Sequence, residues 1–371
     1  MDSNSGPERL PVPLWLTMSP CVLCFVALTF KSSLARKAMF VPITAIVLLI
    51  TNTGMSIEDY LLAGTMIAYL FMIFDFLVLT DAHLELRLAD QAAPSAGSLP
   101  FFERAKWSLR LLTSPRLIGW VNEPKNGCIP PRPTETSRTR FAVKQIIYIT
   151  FHLLTMKILS ITMTWHLSRN GLDLARMGWG WRLMDTLQYG AIASTALSFT
   201  HRTWVLALLC TGRWMPSDFP PMLASPGDAY TLRRFWGRTY HQMLRRRLTS
   251  HAIFVTDKLL HLPREAKLTR RYTQLYVVFF VSGAIHHWGE YIAIHTLRGG
   301  SLRFFLSQAL AIHCEDIVIY AAGRIGLKQS RTWKIVGYIW VWHWFTWCVP
   351  SSLDPLVRLG MFKQLGVNVE V

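Results

Sequence analysis

The chain has 371 residues, of which 51% are hydrophobic and only 16% charged, against roughly 25% charged in soluble proteins. A soluble fold of that composition would expose large apolar patches, so an ordinary soluble domain is excluded and a lipid-embedded one is expected. The net charge of +17 does not mark a nucleic-acid binder, because the Lys and Arg residues lie between apolar runs and not in one reading element.

Apolar windows near the ~20 residues needed to cross a bilayer fall at about 13–30, 38–54, 60–80, 141–165, 186–210, 272–297, 302–322 and 333–350. About eight transmembrane helices are therefore expected, and the fold class is an all-α, polytopic integral membrane protein in a single domain over 1–371. No basic segment precedes the first apolar run, which is expected to be a retained span. The 15 Trp and 11 Tyr suit aromatic belts at the two interfaces.

Charge asymmetry sets the orientation. Lys31, Arg36 and Lys37 follow the first span, and Arg233, Arg234, Arg238, Arg245, Arg246, Arg247, Arg270 and Arg271 lie in the richest connection. With eight spans these segments share one side, which the positive-inside rule makes cytosolic. The connection at 166–185, with Arg169, Arg176 and Arg182, is the misfit. Residues 101–120 are basic and amphipathic, as for a helix lying in the membrane interface. Residues 230–248 also carry aromatic and basic residues at helical spacing, after an entry punctuated by Pro220, Pro221, Pro226 and Gly227. No internal repeat of the kind common in transporters is visible.

Cys21 and Cys24 form a CxxC inside an apolar run without a second pair, so they read as small apolar-like residues and no metal site is expected. Ionisable groups inside a span are costly and mark function. The window at 272–297 holds His286, His287 and Glu290. Glu290 lies one turn beyond His286, a spacing that allows a shared hydrogen bond. His287 points about 100° away and reads as packing. Ser282 lies one turn before His286, and the small pair Ser282–Gly283 lets a neighbouring helix or a ligand come close. A Ser282–His286–Glu290 hydrolase triad fails because no strand–elbow–helix context surrounds Ser282. Asp75, His152, Lys157, His313, Glu315 and Asp316 are further intramembrane polar groups. Glu315–Asp316 is expected to anchor Arg side chains of the basic segments, and Asp75 with Lys157 is one conceivable buried pair.

Val281–His286 (VSGAIH) resembles the SGxxH motif of the wax synthase branch of the membrane-bound O-acyltransferase superfamily. Ser225–His241 (SPGDAYTLRRFWGRTYH) is similar to that branch's SP…SLRxFWGRxW segment. Further matches are Ile129–Pro133, Gln308 with Glu315–Asp316, and the Gly337–Val341 to Trp347–Pro350 run, so the resemblance covers about 110–358 in order. It implies acyl transfer from acyl-CoA to an alcohol within the membrane, with His286 as catalytic base. A second polar position, often Asn in the family, is His241 here and is expected to hydrogen-bond the thioester carbonyl. Ser282, Glu290, Trp236, Arg238, Arg233 and Arg234 are the expected substrate-binding residues, the arginines receiving coenzyme A phosphates.

Chains of this pattern also resemble fungal wax-synthase-like enzymes that O-acetylate terpenoid and polyketide products. The implied partners are acetyl-CoA or another acyl-CoA, a lipophilic alcohol and membrane lipids, with no bound cofactor, in the endoplasmic reticulum membrane. A long-chain wax-ester or sterol acyltransferase is the alternative, and a proton-coupled transporter is a rival from another class.

Overall fold

A computed structural model describes residues 12–361 except 52–56, 93, 126, 241, 295 and 298. Its described residues are helical, with one isolated bridge between Leu88 and Trp120 in place of any sheet. The N-terminal part comprises α1 (Leu14–Thr29), α2 (Ser33–Ala38), α3 (Phe40–Thr51), α4 (Ile57–Phe74), α5 (Ala82–Glu85) and α6 (Phe101–Thr113). Two long helices follow, α7 (Arg138–Asn170) and α8 (Trp179–Cys210). After a connector with the short α9 (Leu232–Arg234) and α10 (Arg245–Phe254) come α11 (Lys267–Ile294), α12 (Ser301–Arg324) and α13 (Arg331–Arg358).

Among the described residues, five segments are long and apolar enough to cross a membrane: Ser33–Thr51, Tyr60–Leu79, Arg138–Asn170, Lys267–Ile294 and Ser301–Arg324. Helices α1, α8 and α13 occupy the other three expected windows, α1 being a shorter apolar helix. On α7, Val143, Ile147, Phe151, Leu154 and Ile158 are all at least half exposed. Such a face is stable only against lipid. All internal backbone groups of a helix are satisfied within it, as hydrocarbon demands.

The misfit connection resolves into a tight turn. Helix α7 runs on to Asn170 and α8 begins at Trp179, and the three arginines have local partners. Arg169 lies over the Trp165 ring at 4.2 Å, Arg176 pairs with Asp173, and Arg182 donates to the Leu174 carbonyl. Gly171 closes α7 with φ +94°, a conformation that suits glycine.

Helix α6 docks on α1 through Arg104, whose Nε donates to the Thr29 carbonyl at 2.7 Å. The expected continuous helix at 230–248 does not form. Only Leu232–Arg234 is α-helical; Phe235–Thr239 widens into a π-turn, and the α-helix resumes at Arg245. Thr231 caps α9 by accepting from the Arg234 N–H, and the π-turn ends as the Tyr240 N–H reaches back to the Phe235 carbonyl at 2.8 Å. Arg116 fixes the entry to this connector, donating to the carbonyls of Pro220 and Pro221 at 2.5 and 2.7 Å. Its burial lowers its pKa to about 10, which leaves it charged at neutral pH.

Asp75, wholly buried, pairs with Arg246 at 3.0 Å and accepts from Thr80. Lys157 is exposed and is not its partner. Glycines set the helix spacing around α11. A Cβ at Gly289 would lie 2.7 Å from the Tyr60 carbonyl of α4, and one at Gly283 would lie 3.1 Å from Phe305 Cβ of α12.

Candidate active site

The centre of α11 brings Ser282, His286 and Glu290 onto one face, but gives them different neighbours. His286 lies flat against Phe305 of α12, with ring centroids 4.8 Å apart and planes within 16°. The residue is partly buried and keeps some accessible surface, so it is enclosed without being sealed. Among the described residues, no hydrogen bond occupies either ring nitrogen. A histidine with a free nitrogen in a dry enclosure can take up a proton from a hydroxyl.

The hydrogen bond allowed between His286 and Glu290 is not formed. Both Glu290 oxygens accept from the Ser301 N–H at 3.0 Å, and Ser301 Oγ donates to Oε1 at 2.6 Å. His287 Nδ1 lies 3.4 Å from the same carboxylate. Glu290 therefore caps the start of α12, where unpaired backbone N–H groups favour a negative charge. Gly299 and Gly300 allow the close fit: a Cβ at Gly299 would strike Glu290, and one at Gly300 would strike the Ser351 carbonyl.

A second cluster gathers the connector onto α12 and α13. Glu315 accepts from the Leu232 and Arg233 N–H groups at 2.8 and 3.2 Å and from Trp340 Nε1 at 3.1 Å. Asp316 accepts two bonds from Arg233, at 3.0 and 2.5 Å, and others from Arg271 and Tyr272. Of the acidic pair expected to anchor arginine side chains, Asp316 does so, while Glu315 holds backbone N–H groups and Trp340 instead. Gln308 Oε1 accepts from Trp344 at 3.0 Å and from Trp236 at 3.4 Å. Gly337 lets α13 pass against the Tyr230 carbonyl, and Tyr338 donates to the Gly227 carbonyl at 2.7 Å.

Trp236 packs edge-on to Phe279 and is 5.9 Å from Phe305, one ring removed from His286. Of the three arginines expected to bind phosphate, Arg233 is committed to Asp316 and Arg234 to Asp228. Arg238, half-buried in the π-turn, has no ion-pair partner among the described residues. His241 lies outside the described residues. Its neighbour Gln242 is buried and donates to the carbonyls of Trp236 and Tyr240, at 3.3 and 2.8 Å, holding the turn shut.

Three tyrosines did not stand out in the sequence. Tyr60, Tyr189 and Tyr240 are enclosed like His286, each keeping some accessible surface. Tyr60 and Tyr189 lie within electrostatic reach of Glu290. Tyr240 alone carried a signal, being part of the FWGRTY run.

Residues 219–307 match the model of the membrane bound O-acyl transferase family. Over 98% of its length the chain is 31% identical to acetyltransferase eriL of Hericium erinaceus, covering 95% of that protein. It is also 31% identical to acetyltransferase ple2 of Rhodocybe pseudopiperita, across 91% of this chain and 90% of the relative. Similarity at 29% identity extends to O-Mevalon transferase yanI of Aspergillus niger, over 69% of this chain and 63% of that one. No solved structure matches. The matched segment runs from the connector through His286 to the first turns of α12, and so holds His286, Glu290, Ser301 and Phe305 and the connector side of the second cluster. The chain belongs to the membrane bound O-acyl transferase family and is an integral membrane O-acyltransferase.

Proposed function

We propose that the protein moves an acetyl group from acetyl-CoA to a hydroxyl of a lipophilic, terpenoid-like acceptor in fungal secondary metabolism, with His286 as general base. The observation that carries this reading is the enclosed His286 ring, held flat by Phe305 with no hydrogen bond to a described residue. The acceptor oxygen attacks the thioester carbonyl while His286 takes its proton. The new C–O bond forms, the C–S bond breaks, and the proton passes on to the departing thiolate. His241 stabilises the carbonyl oxygen as charge develops. The cosubstrate approaches from the basic, cytosolic side of the endoplasmic reticulum membrane, where Arg238 is available to a phosphate. The printed names of the relatives eriL and ple2 support acetyl as the transferred group.

The printed name of yanI points to a different transferred group on a similar chain. Family membership removes the support for a proton-coupled transporter. Microsomes containing the chain, radiolabelled acetyl-CoA or palmitoyl-CoA and a panel of terpenoid alcohols test the reading. Esters should form with acetyl-CoA and vanish with His286→Ala. Full ester formation by His286→Ala would sink the role of that residue, and esters with palmitoyl-CoA alone would favour a wax-ester or sterol acyltransferase.

A further inference from the structure

A buried polar pair lies between α7 and α8, away from the residues that carry acyl transfer. His166 and Asp185 side chains are 3% and 0% exposed, with Nδ1 2.9 Å from Oδ1. The ring and the carboxylate face each other through this one contact, and Nε2 and the second carboxylate oxygen have no hydrogen-bond partner among the described residues. Trp181, one turn before Asp185, covers the imidazole with centroids 4.8 Å apart. Thr186 Oγ1 and Gln188 Oε1, on the same stretch of α8, are likewise buried without partners among the described residues.

Buried polar groups without partners are expensive, and more so where lipid replaces water. Apolar packing would be cheaper here, so the pair needs a ligand that supplies the missing bonds. A hydroxyl fits the set: it donates to a carboxylate oxygen and accepts from an imidazole N–H. A carbonyl would leave the second carboxylate oxygen of Asp185 unpaired, and an anion would be repelled by it. The position is connected to the reaction site. Tyr189, one turn beyond Asp185, packs with Ile192 into the apolar core that contains Phe305, Phe279 and Trp236, and Met163 and Leu167 flank His166 in that core.

We propose that His166 and Asp185 form a second hydroxyl-recognition site, which binds a hydroxyl of a polyoxygenated acceptor other than the one acylated. This rests on the acyl-transfer reading above for its choice of ligand. The same chemistry could come from an ordered water, and the experiment separates the two. Membranes containing the full chain are given radiolabelled acetyl-CoA with lupeol, a rigid polycyclic mono-alcohol, or betulin, the same skeleton with a second hydroxyl at its far end. Betulin should be used about tenfold more efficiently, chiefly through KM, as expected when one buried hydrogen-bonding set is satisfied or left empty. Asp185→Asn and His166→Ala should erase that preference while leaving the lupeol rate nearly unchanged.

Equal use of the two alcohols by the unsubstituted chain means that water alone fills the site and overturns the proposal. A preference that survives both substitutions overturns it too. So does an equal loss of both substrates, which marks a purely structural pair. Failure of the underlying acyl-transfer reading looks different, because neither alcohol is then esterified by the unsubstituted chain. In that event thermal unfolding of the purified chain decides. A larger stabilisation by betulin than by lupeol that disappears in Asp185→Asn upholds the site, and no difference between the alcohols refutes it.

Discussion

Glu290 and Ser301 are bound to each other three times over, through one backbone N–H shared by both carboxylate oxygens and through one hydroxyl. One turn back along α11 lies His286, and one turn forward along α12 lies Phe305, and these two also meet. The helices are thus joined by two successive rungs, a polar one that fixes their offset and an aromatic one that holds the His286 ring.

Removing the polar rung should loosen the aromatic one. Glu290→Ala leaves the Ser301 N–H buried without its acceptor and its hydroxyl with Ser352 alone, at a cost of roughly 1–3 kcal/mol. Glu290→Gln keeps one acceptor but loses the charge at the helix start, and should cost about half as much. Thermal unfolding in detergent measures both. Equal losses, or none, would show that Glu290 does not act as a cap.

Gly283→Ala separates packing from catalysis. The new methyl would meet Leu302 Cδ1 at 3.0 Å and Phe305 Cβ at 3.1 Å, an overpacking strain of about 1–3 kcal/mol. Alanine's better helix propensity offsets about 1 kcal/mol of it. Stability should therefore fall little, while turnover drops because Phe305 must shift under His286. Unchanged turnover in a well-folded variant would argue against the ring stack as a positioning device.

The arginines of the connector should divide by partner. Arg238→Ala should raise KM for the acyl-CoA several-fold with an unchanged melting temperature. Arg233→Ala takes two of the four hydrogen bonds from Asp316, leaving those of Arg271 and Tyr272, and should lower stability by about 1–2 kcal/mol before any effect on KM can be read. Steady-state kinetics beside melting curves check the division, and matching profiles for the two variants would refute it.

Acid should loosen the junction of α1 and α6. His83 is buried; its Nδ1 faces Arg36 at 3.0 Å, so its Nε2–H donates to the Leu28 carbonyl at 2.8 Å. Burial lowers its pKa, the Leu28 carbonyl partly opposes this, and Arg36 adds to the lowering. The unfolded chain therefore binds a proton first, near the ordinary value of about 6.5. Stability is intact above that pH and declines as pH falls towards the folded value. The protection of α6 amides, measured against the intrinsic exchange rate at each pH, should fall as pH drops below about 6.5, and His83→Gln should flatten the response.

Much of this was legible in the sequence. The apolar windows coincide with the long helices because hydrocarbon permits little else, and the acidic pair on α12 announced the arginines of Asp316 because two adjacent carboxylates in a span demand cations. Spacing along one helix misled where a second helix competed. Glu290 is placed to reach His286, but the unpaired backbone at Ser301 is the stronger partner. The 230–248 run has helical spacing, yet a π-turn at Phe235–Thr239 shifts its register, and no pattern within it signals that change. His166 and Asp185 fell at the two edges of what looked like a loop, so their pairing emerged only once α7 and α8 proved longer than their apolar windows.

The grip of Glu315 on the Leu232 N–H spans 83 residues of chain. A ribosome adding about 5–20 residues per second delivers the connector on the order of ten seconds before the carboxylates that will hold it. Through that interval Arg234 and Arg246 already have Asp228 and Asp75, but Arg233 waits for Asp316. Anionic headgroups are the nearest substitute for that carboxylate until the last helices are made.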